Sequence, residues 1–210
     1  MCFSAPVSFF TGSFLVGIGA ASGFAAKKHQ RILVPVPFFF GIQQILEGIQ
    51  WVVTPGSAAS IIVGYGFLFF AFLVWPVYAP LAVFIIDEKK RHITRWFLLL
   101  GVMVATFFVA LLLIQPFLIA VGTNHIGYIF DVTSTTLQRH LLIVLYVIAV
   151  CGPMLTSSMP LIRRFGIILF FSGAASRLLF SATFTSVWCF FAAALSALMY
   201  VFIRLTNRKK

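Results

Sequence analysis

Residues 93–120 decide the fold class: they read ITRWFLLLGVMVATFFVALLLIQPFLIA, and Arg95 carries the only charge among them. A helix that crosses the hydrocarbon core of a bilayer needs about 20 predominantly apolar residues. This stretch exceeds that length and contains one charge near its start. The sequence therefore predicts a transmembrane helix here.

The composition extends this prediction to the whole chain. Hydrophobic residues make up 61% of the 210 residues and charged residues 9%, against roughly 25% charged in a typical soluble protein. The mean hydropathy is +1.08. The chain has too few polar side chains to cover the surface of a water-soluble globule. The composition therefore excludes a soluble protein. We predict an all-α, polytopic membrane protein that forms one domain over residues 1–210.

Seven apolar stretches are long enough to cross a membrane. They cover about residues 7–26, 32–53, 59–86, 93–120, 141–158, 165–182 and 186–204. The third contains Pro76 and Pro80, which predict a tilt or a kink. The polar segment 121–140 cannot span, and Ser181-Ala182-Thr183 is the predicted turn between the last two helices.

Small residues recur at four-residue spacing in the first span. The pairs are Ser8 with Gly12, Ser13 with Gly17, and Gly19 with Gly23. Such spacing places small side chains on one face of a helix, where a neighbouring helix can approach closely. We expect the first span to pack tightly against another.

The basic residues indicate the orientation. All 15 lysines and arginines except Arg139 and Arg177 lie in alternate loops, at the span ends next to them, or in the C-terminal tail. Because positive loops stay in the cytoplasm, the N-terminus is predicted outside and the C-terminus inside. The net charge of +11 then indicates contact with anionic lipid head groups. Basic residues interleaved with aromatics on a polar surface are absent from the sequence, so we do not expect nucleic-acid binding.

The second predicted span carries polar side chains on one face. Gln43, Glu47 and Gln50 follow one another at helical spacing. A carboxylate inside the membrane is costly and should face a cavity or a partner. Arg177, at a similar predicted depth in the sixth span, is the candidate ion-pair partner of Glu47. With His125 in the outer polar segment, these residues form a candidate ligand or ion pocket.

A second set of side chains has the chemistry of metal ligands. Thiol, imidazole and carboxylate groups that fall on the predicted outer side belong to Cys2, His125, Asp131, His140 and Cys189. These are ligand types for zinc or copper, although their spacing matches no metal signature. Ordinary surface histidines and unreactive thiols explain the same pattern. Cys2 and Cys189 could also form a disulfide on an oxidising outer side.

Several short motifs resemble an uncharacterised family of small prokaryotic multi-pass membrane proteins. The family opens with Met-Cys-Phe-Ser-Ala, and the similar motifs are Met1-Cys2-Phe3-Ser4-Ala5, Gln43-Gln44-Ile45-Leu46-Glu47-Gly48, Trp75-Pro76, Cys151-Gly152-Pro153 and Ser186-Val187-Trp188-Cys189-Phe190-Phe191. The resemblance spans nearly the whole chain. It implies a multi-pass protein of a prokaryotic plasma membrane and supplies no activity.

Three functions remain open from the sequence. The first is a bundle that handles a small ligand, a cation or a proton through Glu47. The second is a membrane-embedded, metal-dependent hydrolase that acts on a lipid-like substrate, with zinc or copper as its cofactor. The third is a structural or partner-binding membrane subunit, in which a Glu47–Arg177 pair only fixes helix packing.

Overall fold

Nine helices and one β-hairpin are formed by residues 4–122, 125–130 and 136–208, the residues described by the computed structural model. In chain order they are α1 (Ala5–Ala25), α2 (Pro35–Val52), α3 (Ala58–Leu68), α4 (Trp75–Ile86), α5 (Arg91–Ile114), β1 (Phe117–Val121), β2 (Ile126–Phe130), α6 (Thr136–Leu155), α7 (Pro160–Leu179), α8 (Phe184–Ser196) and α9 (Leu198–Arg208). A π-helical segment, Phe69–Val74, joins α3 to α4, and short 3₁₀ helices lie at Lys28–Leu33, Glu88–Lys90 and Ser181–Thr183. The last of these is the predicted turn.

Five helical stretches of the described chain are long and apolar enough to cross a membrane. They are Ala5–Ala25, Lys28–Val52, Ala58–Ile86, Glu88–Ile114 and Phe184–Leu205, which correspond to the first four and the seventh predicted spans. The fifth predicted span corresponds to a shorter apolar helix, His140–Leu155. The sixth corresponds to α7, which carries three arginines and is not one of the five. The seven-span topology and the orientation of the termini stay predictions.

The prediction for the fourth span was wrong at its C-terminal end, and the chain is not purely α-helical. The helix ends at Ile114, and residues beyond Pro116 form β1, which pairs with β2 in a two-stranded sheet. Proline lacks the N–H that continues a helix and disfavours helical geometry in the residue before it. The apolar residues that follow therefore form a strand, and hydropathy alone does not distinguish this strand from further helix.

The described residues group into two compact units, each built from distant parts of the chain. The first unit takes its residues from 1–67, 119–128 and 172–210, and the second from 68–118 and 129–171. Whether residues 1–210 act as one domain stays a prediction. In the first unit, the hairpin residue Tyr128 is buried and stacks on Phe67 of α3, with 4.6 Å between the ring centroids.

Within the first unit, α1 and α2 pack through small residues, as their spacing in the first span predicts. A methyl group at Gly12 would lie 2.8 Å from the carbonyl oxygen of Gly41, and one at Gly19 would lie 3.0 Å from Cβ of Phe38. The first distance is too short for a real side chain, and the second would require Phe38 to shift. Glycine is thus required where these two backbones touch, and a row of helix contacts fixes the position of α2.

The turn between α2 and α3 has local sequence causes. Gly56 adopts a positive φ of 79°, a conformation that costs glycine little. Ser57 then caps α3, because its hydroxyl accepts a hydrogen bond from the N–H of Ser60 at 3.2 Å. The turn brings the start of α3 beside the end of α2.

The second unit contains two prolines in the helical stretch from α3 to α4, and neighbouring helices cover the carbonyl groups they leave free. The N–H of Trp75 donates to the carbonyl of Phe70, five residues earlier. In the same pattern the nitrogen of Pro76 would donate to the carbonyl of Ala71, but a proline nitrogen has no hydrogen. The hydroxyl of Tyr146 in α6 donates to that Ala71 carbonyl at 2.6 Å. The distortion that the prolines predict is therefore a π-helical segment. The hydroxyl of Tyr146 binds the carbonyl that this segment leaves without a backbone donor.

Candidate functional site

Four polar side chains of α2 are fully buried. Gln43, Gln44, Glu47 and Gln50 each have 0% of their surface exposed. They lie on the part of α2 that other helices cover, and the rest of the helix is apolar. A carboxyl group and three amide groups in so small a volume are costly to bury unless they bind one another or a ligand.

Glu47 contacts side chains from its own helix and from α8. The amide nitrogen of Gln44 donates to Oε2 of Glu47 at 3.2 Å, and the hydroxyl of Ser186 donates to Oε1. Cys189, one turn beyond Ser186 on α8, is a free buried thiol that lies beside Glu47 and Gln43. The site is thus assembled where α2 meets α8.

Gln50 extends the site to α3. Its amide nitrogen donates to the hydroxyl of Ser60 at 2.6 Å, between two side chains that are both fully buried. The amide oxygens of Gln44 and Gln50 accept no hydrogen bond from any residue that the structure describes. Two buried acceptors without a donor are unusual, since most buried polar atoms are paired.

The other two residues of the predicted pocket lie in the same unit. Arg177 is half-buried in the last turn of α7, one turn beyond Gly173, which contacts the ring of Trp188 in α8. His125 is half-buried in the hairpin turn, where its carbonyl accepts a hydrogen bond from Gly122 at 2.9 Å. The Glu47–Arg177 ion pair and a role for His125 stay predictions.

The predicted metal ligands other than His125 divide into three groups. Cys2 and Asp131 lie outside the described residues. His140 is exposed at the start of α6, and Cys189 is buried beside Glu47. Within the described ranges, no three histidine, cysteine, aspartate or glutamate side chains come close enough together to hold a metal ion.

Three members of the site were not among the predicted pocket residues or metal ligands: Gln44, Ser60 and Ser186. Gln44 and Ser186 belong to motifs that carry the family resemblance, and Gln44 stands one helical turn before Glu47, so a signal for both existed. No sequence signal indicated Ser60, because only the folded turn at Gly56 brings it to Gln50. The resemblance motifs of α2 and α8 therefore meet in one place.

A second buried acid, Asp87, lies between α4 and α5 in the second unit. Its carboxylate accepts hydrogen bonds from the hydroxyl of Ser157 at 2.7 Å, and from the N–H and hydroxyl of Ser158, both at 2.6 Å. Burial alone raises the pKa of Asp87, but these hydrogen bonds and one from the backbone of Lys90 outweigh it and lower the pKa below its ordinary value. The acid ties the α4–α5 turn to the α6–α7 turn.

These features define the class: a helical protein of the membrane type. Its described residues include five apolar helices long enough to span and a buried acid between α2 and α8. The chain belongs to a family of unknown function, DUF6629, whose family model matches residues 1–210. This membership confirms the resemblance to an uncharacterised family. No curated protein and no solved structure matches the chain.

Proposed function

We propose that this protein binds a cation or a proton at a site centred on Glu47 and passes it along or across the membrane. The observation that carries the proposal is the fully buried carboxylate of Glu47 among amide oxygens that lack donors. Ionisable residues inside a membrane segment are rare because they are costly, and they most often mark ion or proton pathways.

The chemistry of the neighbours favours a positively charged occupant. Gln44 and Gln50 each direct their N–H groups to another side chain, Glu47 and Ser60 respectively. Their oxygens carry partial negative charge and remain available to a cation. A buried anion would meet the like charge of Glu47 and these oxygens instead.

The proposed setting is the plasma membrane of a prokaryote, with the N-terminus outside and the C-terminus in the cytoplasm. The apolar helices support a membrane location, and the alternation of basic loops supports this orientation. In it, α2 ends at the outer surface, so the Glu47 site would lie in the outer half of the membrane. Basic loops would contact anionic lipid head groups on the inner side.

The test is flux in liposomes that contain the full-length protein. Proton flux is followed with an internal pH dye, and cation flux with radioactive sodium and rubidium. Glu47→Gln keeps the shape of the side chain and removes its charge, so we expect flux to fall about tenfold or more. Glu88→Gln is the matched control, because its carboxyl group is 83% exposed and contacts Arg91 only at 3.8 Å; it should leave flux unchanged.

Equal flux in wild type and Glu47→Gln would contradict the proposal, and so would the absence of any flux or binding. The hydrolase and the structural subunit then return as the alternatives. No observation among the described residues favours the hydrolase, since the proposed ligands His125, His140 and Cys189 do not form a ligand group.

A further inference from the structure

We propose that the second unit binds the phosphate group of an anionic phospholipid where its α4–α5 turn (residues 87–90) meets its α6–α7 turn (residues 156–159). This inference goes beyond the proposed function, because it concerns another part of the chain and does not depend on Glu47. It is also more specific than a general attraction of basic loops to the membrane surface, since it names one place where two basic turns are bound to each other.

Asp87 joins the two turns. It lies in the α4–α5 turn, and its carboxylate accepts hydrogen bonds from the hydroxyl of Ser157 at 2.7 Å and from the N–H and the hydroxyl of Ser158, both at 2.6 Å. Asp87 and Ser157 are 2% and 1% exposed, so these bonds are shielded from water. Both turns therefore lie at the same end of the second unit, where the fold holds them side by side.

Basic side chains follow both turns closely. They belong to Lys89, Lys90, Arg91, Arg95, Arg163 and Arg164, and all except the half-buried Lys90 are exposed. Glu88 contacts Arg91 at 3.8 Å, whereas Asp87 is bound by hydroxyl and backbone donors instead of a cation. Apart from Arg91, these basic residues form no ion pair with any residue that the structure describes. Their positive charge is available to an anion from outside the chain.

Trp96 indicates that these cations lie at the level of lipid head groups. Its side chain is 62% exposed, and the guanidinium of Arg95 lies over its ring, 5.1 Å from the centroid. Tryptophan is enriched where a membrane meets water, because its ring contacts the acyl chains while its N–H reaches the polar layer. An exposed indole next to the cations favours a membrane lipid as their partner.

Exposed apolar residues follow the exposed arginines by one helical turn on both helices. Leu99 follows Arg95 on α5, and Ile168 follows Arg164 on α7; the two apolar side chains are 54% and 48% exposed. Residues four positions apart share a helix face, so each face carries positive charge first and apolar surface further along. A phospholipid has the same order, a phosphate followed by acyl chains. A free phosphate ion has no apolar part to place against Leu99 and Ile168.

The experiment counts the lipids bound to the full-length protein in detergent by native mass spectrometry. The protein is titrated with phosphatidylglycerol, which is anionic, or with phosphatidylcholine of the same acyl chains, which has no net charge. We expect one phosphatidylglycerol to bind at concentrations where phosphatidylcholine does not. Guanidinium groups form strong, charge-assisted hydrogen bonds with phosphate.

Two double variants test whether the binding depends on these turns. Arg163→Gln with Arg164→Gln should weaken the affinity for phosphatidylglycerol about tenfold or more, because each basic residue near a membrane surface contributes to the attraction of anionic lipid. Lys28→Gln with Arg31→Gln is the matched control, since it removes two exposed positive charges from the first unit. The control should keep the affinity of wild type.

Asp87→Asn distinguishes one assembled site from a general attraction between charges. It makes the chain more positive, so a general attraction predicts tighter binding of phosphatidylglycerol. If the two turns form one site, weakening the hydrogen bonds that join them should lower the affinity several-fold, and circular dichroism checks that the variant keeps its helices. Should it fail to fold, the two double variants still decide the proposal.

Several outcomes would overturn the proposal. They are equal affinity for the two lipids, a loss in the Arg163 and Arg164 variant no larger than in the control, and unchanged or tighter binding by folded Asp87→Asn. Glycerol 3-phosphate tests the source of the phosphate: we expect it not to displace the lipid at equal concentration. If it binds as tightly as phosphatidylglycerol, the ligand is a soluble phosphate ester and the lipid site is wrong.

Discussion

Glu47 in the first unit and Asp87 in the second are both buried acids, but their surroundings differ. Asp87 is enclosed by donors: two hydroxyls and a backbone N–H bind its carboxylate at 2.6–2.7 Å. Glu47 lies beside Gln44 and Gln50, whose oxygens accept nothing from the described residues. Glu47 also accepts hydrogen bonds, from Gln44 and Ser186. The difference is that the amide oxygens of Gln44 and Gln50 are open acceptors, which are suited to bind something else.

The second unit also compensates the backbone carbonyl groups that its prolines leave without a donor. In the second unit, Tyr146 binds the carbonyl that Pro76 leaves free, and Gly101 of α5 packs directly on the carbonyl of Pro76 itself, whose usual donor would be the nitrogen of Pro80. The Trp75-Pro76 and Gly152-Pro153 motifs thus have structural explanations there; Gly152 lies against the ring of Phe97. In the first unit, the buried amide oxygens of Gln44 and Gln50 on the helix of Glu47 stay open, which is why we place the function there.

The largest expected effect is that of Gly101→Ala in the second unit. A methyl group at this position would overlap the carbonyl oxygen of Pro76, and backbone atoms cannot move aside as a side-chain end can. We expect a loss of about 3 kcal/mol in the free energy of unfolding, measured by denaturation in mixed micelles. Gly17→Ala is the control, because nothing lies within 4 Å of a methyl group there; a loss of equal size in both variants would show that packing on Pro76 is not the cause.

Asp87→Asn is expected to cost about 2 kcal/mol, since it weakens several hydrogen bonds to a charged group. The pKa of Asp87 is lower in the folded chain than in the unfolded chain. Its contribution is therefore complete above the unfolded-state pKa of about 3.9 and is lost as the pH falls through the folded-state pKa. Wild type should lose stability over this acidic window, and the difference between wild type and variant should shrink there; a constant difference down to the lowest pH would argue against this role.

The smallest effect on stability is expected for Glu47→Met, although flux should be lost. Removing a charge that is costly to bury is a gain, and this gain offsets the loss of hydrogen-bond partners for Gln44 and Ser186. We expect the unfolding free energy to stay within about 1 kcal/mol of wild type. A loss as large as that of Asp87→Asn would instead identify Glu47 as a structural acid and favour the membrane-subunit alternative.

Much of the fold could be predicted because hydropathy is a property of the chain alone. The first three spans agree with α1, α2 and the continuous stretch Ala58–Ile86 within a few residues. The fourth was extended too far, because the residues after Pro116 are as apolar in a strand as they would be in a helix. The sixth predicted span corresponds to α7. Because this helix carries three arginines, it is not among the five helices that are apolar enough to span.

The sequence by itself determined that this is a membrane-type helical protein and that Glu47 shares a helix face with Gln43 and Gln50, because composition and helical periodicity need no tertiary contact. Only the tertiary structure decided that Ser186 and Ser60 complete that face and that Asp87 is bound by Ser157 and Ser158. These partners are separated by 10 to 139 positions in the chain. Their meeting depends on how the helices pack, and no local pattern specifies that.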